Sequence, residues 1–247
     1  MKKIFNWQVC LGLALVVLSL TVYYIHYQVF GDLHHILIYG LGDVGFVFIE
    51  VLMVTLILHR LLAYRDKQSI LRKLNMVIGV FFSEVGTGLV KSLQEFDEAS
   101  DDIAKRLIIK NNWSKKEFFK ARKCLDSHFV VLNSRGADLH KLKDMLLTKR
   151  QFLLGLLENP NLLEHDSFTD LLWAVFHLTE ELQFRNDLVK LPDTDYKHLT
   201  GDMKRVYSLL IKEWFEYMKH LKKDYPYLFS LAIRRNPFDP KPCITVY

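Results

Sequence analysis

Between Lys3 and Arg60 the chain has no lysine or arginine, although 33 of its 247 residues are basic. That gap holds two long apolar runs, one from about Trp7 to Tyr27 and one from about Leu37 to Leu62. An α-helix needs about 20 apolar residues to cross the hydrocarbon core, and each run is long enough. Cysteine is scarce: Cys10, Cys124 and Cys243 are scattered and form no metal or redox spacing. Cys124 and Cys243 are expected in a reducing compartment, so all three are read as free thiols. No Walker A loop, dinucleotide glycine fingerprint, kinase signature or zinc-protease helix is present. ATP-driven chemistry is therefore not expected, nor is any metal or cofactor. The potassium-filter sequence Thr-Val-Gly-Tyr-Gly is also absent, and Tyr39-Gly-Leu-Gly42 does not reproduce it.

Charge placement sets a topology. Lys2 and Lys3 precede the first run, Arg60, Arg65, Lys67, Arg72 and Lys73 crowd the end of the second, and the connector 28–36 has no base. Positive flanks stay cytoplasmic, so both termini are expected inside an inner or plasma membrane crossed twice. Trp7, Tyr23, Tyr24, Tyr27 and Tyr39 fall near the expected interfaces, as aromatic belts do. A cleaved signal peptide ending near Tyr27 is the rival. Its apolar core would be long for that purpose, and no small-x-small cleavage site follows. Setting aside Lys2, Lys3, Asp32, Asp43 and Glu50, the 33 basic and 28 acidic residues reduce to 31 and 25 from Arg60 onward, a net +6. The excess lies at Arg60 to Lys73, where it suits anionic lipid at about 1 kcal/mol per residue. Nucleic acid is not needed to explain it.

Beyond Arg60 the apolar spacing is helical, with no alternating strand pattern and no internal repeat. Ile70, Leu71, Leu74, Val77, Ile78, Phe81, Phe82, Val85, Leu89 and Leu93 recur at threes and fours. Nothing between Leu61 and Lys73 breaks a helix continuing from the second run, and Gly86 and Gly88 mark a kink or close approach. Ser114-Lys-Lys-Glu117 is a capping box opening a helix expected to reach Ser134-Arg-Gly136. Further helices are expected over 137–158, from Asp166 or Ser167 to Pro192, over 195–224, and briefly from Pro226. The expected organisation is a two-span region (1–62), a juxtamembrane amphipathic helix (63–96), a cytoplasmic helical bundle (97–235) and an irregular tail (236–247). The fold class is all-α.

Asp43 and Glu50 stand seven residues apart in the second apolar run, about 10.5 Å along one helical face. Charge is expensive there, and intramembrane acids face a partner, a cavity or a water path. Asp43 falls at the depth of Thr21 to Tyr24 on the first run. Glu50 falls opposite about Leu15, where that run offers nothing polar. Several copies around an axis would satisfy Glu50, either as oligomer glue or as a ring of acids lining a cation path. Gly40, Gly42 and Gly45 suit close helix contact. His34 and His35, beside Asp32, are read as an exposed polar connector, His177 as a core histidine, and His220 with Glu216 as a surface pair.

Arg135-Gly-Ala-Asp-Leu-His140 resembles the Arg-x4-His spacing of HEPN-type ribonucleases, in which arginine and histidine from paired protomers act on RNA. The resemblance covers six residues and lacks the usual polar residue after the arginine. A second near-match begins at Arg185-Asn186 but has Lys190 in the histidine position. It implies, as the enzymatic alternative, a membrane-tethered nuclease using Arg135 and His140. The leading reading is non-enzymatic: a homo-oligomeric membrane assembly, with a cation pore or gated channel as its activity and the helical domain as sensor or scaffold. A passive anchor docking a soluble partner is the third.

Overall fold

Gly31 and Asp32 divide the apolar region into two helices, α1 (Lys2–Phe30) and α2 (Leu33–Phe81). The computed structural model describes residues 2–98, 100–127, 129–160 and 162–245, without the side chains of 2–9, 100–102 and 163. The flanking Lys2 and Lys3 and the belt residue Trp7 therefore lie outside the described side chains. Gly31 adopts a positive φ of 61°, a left-handed stop that glycine takes without strain, and its N–H donates to the Tyr27 carbonyl at 2.8 Å. Asp32 then caps α2, its Oδ1 accepting from the N–H groups of His34 and His35 at 2.9 and 3.2 Å. These two residues do the work assigned to the whole connector 28–36, whose remaining positions are helical.

The chain forms two compact units, 1–66 and 67–247. In the first, the described side chains are exposed almost without exception, Leu41 at 76% and Phe48 at 74% among them. Within this unit the two helices bury next to nothing.

The second unit is a helical bundle with one continuous core. The end of α2 contributes Leu74, Ile78 and Phe81. A π-helical turn (Phe82–Gly86) leads into α3 (Thr87–Gln94), and both the N–H and the hydroxyl of Thr87 donate to the Phe82 carbonyl. The segment from Leu74 onward is thus part of the bundle core, on the buried face that its apolar spacing predicts. Then follow α4 (Ser100–Leu107), α5 (Lys115–Asp126), α6 (Leu139–Leu157), a 3-10 turn (Leu162–Glu164), α7 (Asp166–Gln183), α8 (Asp193–Asp224) and α9 (Pro226–Arg234). Helix α8 is the spine: α3, α5, α7, α9 and the π-turn pack on it, and α6 packs on α7. Its aromatics Tyr207, Trp214 and Phe215 are buried core. A buried side chain of this size is worth about 1.5–3 kcal/mol, so this stripe holds the bundle together.

Several boundaries differ from the expected ones. Helix α5 stops at Asp126, not near Gly136, because Val130 to Asn133 extends alongside Phe96 to Glu98, with Glu98 N–H on Val131 O and Asn133 N–H on Phe96 O. This isolated bridge is the sole β-pairing among the described residues. Asp138 caps α6 through the His140 and Lys141 amides. Helix α7 is capped by His165, whose Nδ1 accepts from Phe168 N–H, not by Asp166 or Ser167. It ends at Gln183, well before Pro192, and Pro192 instead precedes α8.

Candidate functional site

In the first unit Asp43 and Glu50 are both exposed on α2, two turns apart and the only acids in its otherwise uncharged stretch from Leu33 to His59. Two helices, Cys10–Phe30 and Leu33–Gln94, are long and apolar enough to cross a membrane. Arg60, Arg65, Lys67, Arg72 and Lys73 are all exposed. His26 and His35 stack at 6.0 Å where α1 meets α2.

Arg135 is committed to local structure. The Arg135 guanidinium pairs with Asp193 and lies 4.3 Å over the Tyr196 ring, tying the loop before α6 to the start of α8. His140 is exposed in the first turn of α6. Arg185, the start of the second near-match, is held in a fork. Its Nε and Nη2 donate to Asp195 at 2.8 and 2.6 Å, and Nη1 donates to the Glu181 carboxylate at 2.6 Å. Hydrogen bonds from Arg185 hold both the Glu181 and the Asp195 carboxyls below the usual range. The Arg185 guanidinium is pushed up, chiefly by Asp195.

Beside that fork lies a cluster that spans α7 and α8. His177 and Glu181 stand one turn apart on α7, and His198 and Asp202 one turn apart on α8. His177 Nε2 lies 3.8 Å from Glu181 Oε1 and 3.6 Å from Asp202 Oδ2. His198 Nε2 lies 3.4 Å from Glu181 Oε2 and 3.3 Å from Asp202 Oδ2. Its imidazoles are half exposed, so His177 is not the core histidine its apolar neighbours suggested. Asp202, by contrast, is buried, and its Oδ2 accepts no hydrogen bond. The sequence signal existed as two His-x3-acid pairs on consecutive helices. Each pair alone is an ordinary i, i+4 pair, and only the packing of α7 on α8 brings the two together.

A second polar grouping sits on the other part of α8. A cleft of about 250 Å3 is lined by Asn75, His165, Ser167, Glu213, Glu216 and His220. Ser167 Oγ donates to Glu213 Oε2 at 2.9 Å, and His165 Nε2 lies 3.7 Å from Oε1. Burial raises the Glu213 carboxyl, against the pull of His165 and Ser167. His220 pairs with Asp224 at 2.9 Å, not with Glu216, which pairs with Arg122 and Lys219. Burial lowers the His220 imidazole. Alongside, an apolar cavity of about 410 Å3 is lined by Met76, Gly79, Val80, Tyr217, Leu228 and Leu231, among others. Ser167, His165 and Glu213 form a closed triangle. His165 Nδ1 is already used in capping α7, so no nucleophile-base relay is assembled there.

Residues 2–62 match the family described as "MJ1433, N-terminal helical domain", and residues 70–234 match "Uncharacterized protein MJ1433, C-terminal helical domain". The chain is 47% identical over 239 residues to the protein named "Uncharacterized protein MJ1433" from Methanocaldococcus jannaschii, covering 97% of this chain and 96% of that relative. No solved structure matches.

Proposed function

The chain belongs to the MJ1433 family of helical proteins, and from that premise we propose that it is a two-span membrane protein that assembles with copies of itself. In this reading both termini are cytoplasmic, and the Asp43/Glu50 faces of several α2 helices gather about a shared axis as a cation path. The helical domain serves as its cytoplasmic sensor or scaffold.

The observation that carries the reading is the exposure of nearly every described side chain on α1 and the first part of α2, Glu50 included. Soluble monomers rarely expose apolar patches beyond a few hundred Å2, so this surface calls for a cover. Lipid covers the leucines and phenylalanines but not a carboxyl, which costs about 2.5–3.5 kcal/mol at the centre of a membrane helix for Asp and comparably for Glu. Another copy of the same face supplies polar company for it. A ring of acids is also one way in which cation pathways are built.

Reconstituted protein should pass monovalent cations into liposomes, and Glu50→Gln, which removes the charge and keeps the shape, should reduce that flux. Equal flux through wild type and variant would remove the acidic face from the path.

A further inference from the structure

We propose that His177, His198, Asp202 and Glu181 form a binding site for one divalent transition-metal ion of the Zn2+ type, independent of the membrane region. The imidazoles and Asp202 are the three principal ligands, and Glu181 stands at the fourth corner.

Spacing is the first argument. Zinc binds imidazole nitrogen and carboxylate oxygen at about 2.0–2.2 Å in a tetrahedron, whose edges are then about 3.3–3.6 Å. The edges from Asp202 Oδ2 to the His198 and His177 nitrogens are 3.3 and 3.6 Å, and Glu181 flanks the same two nitrogens with its two separate oxygens, Oε2 at 3.4 Å from His198 and Oε1 at 3.8 Å from His177. The ligand atoms of His177, His198 and Asp202 all lie within 4.8 Å of one another. The i, i+4 spacing on each helix presents both of its groups on one face.

Asp202 supplies an independent argument. The residue is only 5% exposed, yet its Oδ2 accepts no hydrogen bond, although two imidazole nitrogens lie 3.3 and 3.6 Å away. Leaving a buried acceptor unsatisfied costs about 1–3 kcal/mol, more for a charged one. A cation between the four groups removes that cost, because it takes the oxygen lone pair that neither ring N–H is aligned to reach. The other oxygen, Oδ1, faces Arg205 at 3.4 Å.

Charge and support fit as well. Two neutral imidazoles and two carboxylates leave a net charge of −2, the complement of a divalent ion. Arg185 fixes the Glu181 carboxylate and is itself fixed by Asp195, the kind of outer hydrogen bonding that orients metal ligands. Imidazole donors favour Zn, Fe, Ni or Co over the oxygen-seeking Ca and Mg. The half-exposed histidine rings leave a route for the ion to enter.

The test is calorimetric titration of untagged, full-length protein in detergent with ZnCl2, after stripping with chelator. One ion should bind per chain, and the His177→Gln/His198→Gln double variant should bind at least about tenfold more weakly. Both rings are half exposed, so the double variant should fold, as matching thermal unfolding in chelator will show. Zinc should then raise the unfolding temperature of wild type and not of the double variant. Bound Co2+ should show tetrahedral visible bands. His140→Gln, an exposed histidine elsewhere, should leave the affinity unchanged. No binding to wild type, or equal affinity in the double variant, would overturn the site.

Discussion

Glu213 illustrates what one buried carboxyl does to this bundle. It is 5% exposed, with Ser167 donating to one oxygen and His165 near the other. Burial outweighs both and raises the carboxyl above its ordinary 4.5. A folded-state value above the unfolded one means that the folded chain holds this proton more tightly. The stabilisation is complete below the unfolded value and is lost as pH rises through the folded one. Glu213→Gln keeps the shape and the acceptor for Ser167 while remaining uncharged. The difference in unfolding temperature between variant and wild type should therefore be small near pH 4.5 and should grow in the variant's favour towards neutral pH. A variant less stable than wild type at neutral pH would show that the ionised pair with His165 outweighs burial.

At the scale of elements, the π-helical turn depends on its glycine. Phe81 and Phe82 are consecutive and both buried, and the widened turn brings Val85 and Leu89 into the same core. A Cβ on Gly86 would lie 2.5 Å from Phe82 Cδ1 and 2.9 Å from Phe81 Cε1, both in packed rings. Gly86→Ala should cost about 1–3 kcal/mol, the range for overpacking a well-filled core. In a domain of this size each kcal/mol lowers the unfolding temperature by about 2–4 °C. Gly88→Ala meets only Met145 Sδ at 3.8 Å and is exposed, so it should be neutral or stabilising, by less than about 1 kcal/mol. Equal losses at both positions in thermal unfolding would mean that general helix geometry, not the Phe82 contact, sets the requirement. This turn was partly legible in the sequence, as a kink or close approach at Gly86 and Gly88. Local signals such as the Ser114 box and Pro226 also read correctly, because their partners lie within a turn. The early end of α5 did not, since its cause is a pairing with residues 96–98, remote in sequence. The His177 cluster was missed for a related reason: each half is an ordinary i, i+4 pair, and only the packing of α7 on α8 joins them.

For the whole molecule, the helical class and the long continuous second helix followed from periodicity and from the lack of breakers between Leu61 and Lys73. The division at 66/67 separates a unit with almost no buried side chain from one with a continuous core. That contrast is what the proposed assembly explains: one unit folds around its own apolar residues, while the other finds its contacts in lipid and in copies of itself. The most direct test is the mass of the full-length protein in nanodiscs, by native mass spectrometry or light scattering. The account predicts one defined assembly of several copies that Glu50→Leu disperses or redistributes. A monomer at every protein concentration would contradict it, because Glu50 would then have no second copy of its own face to meet.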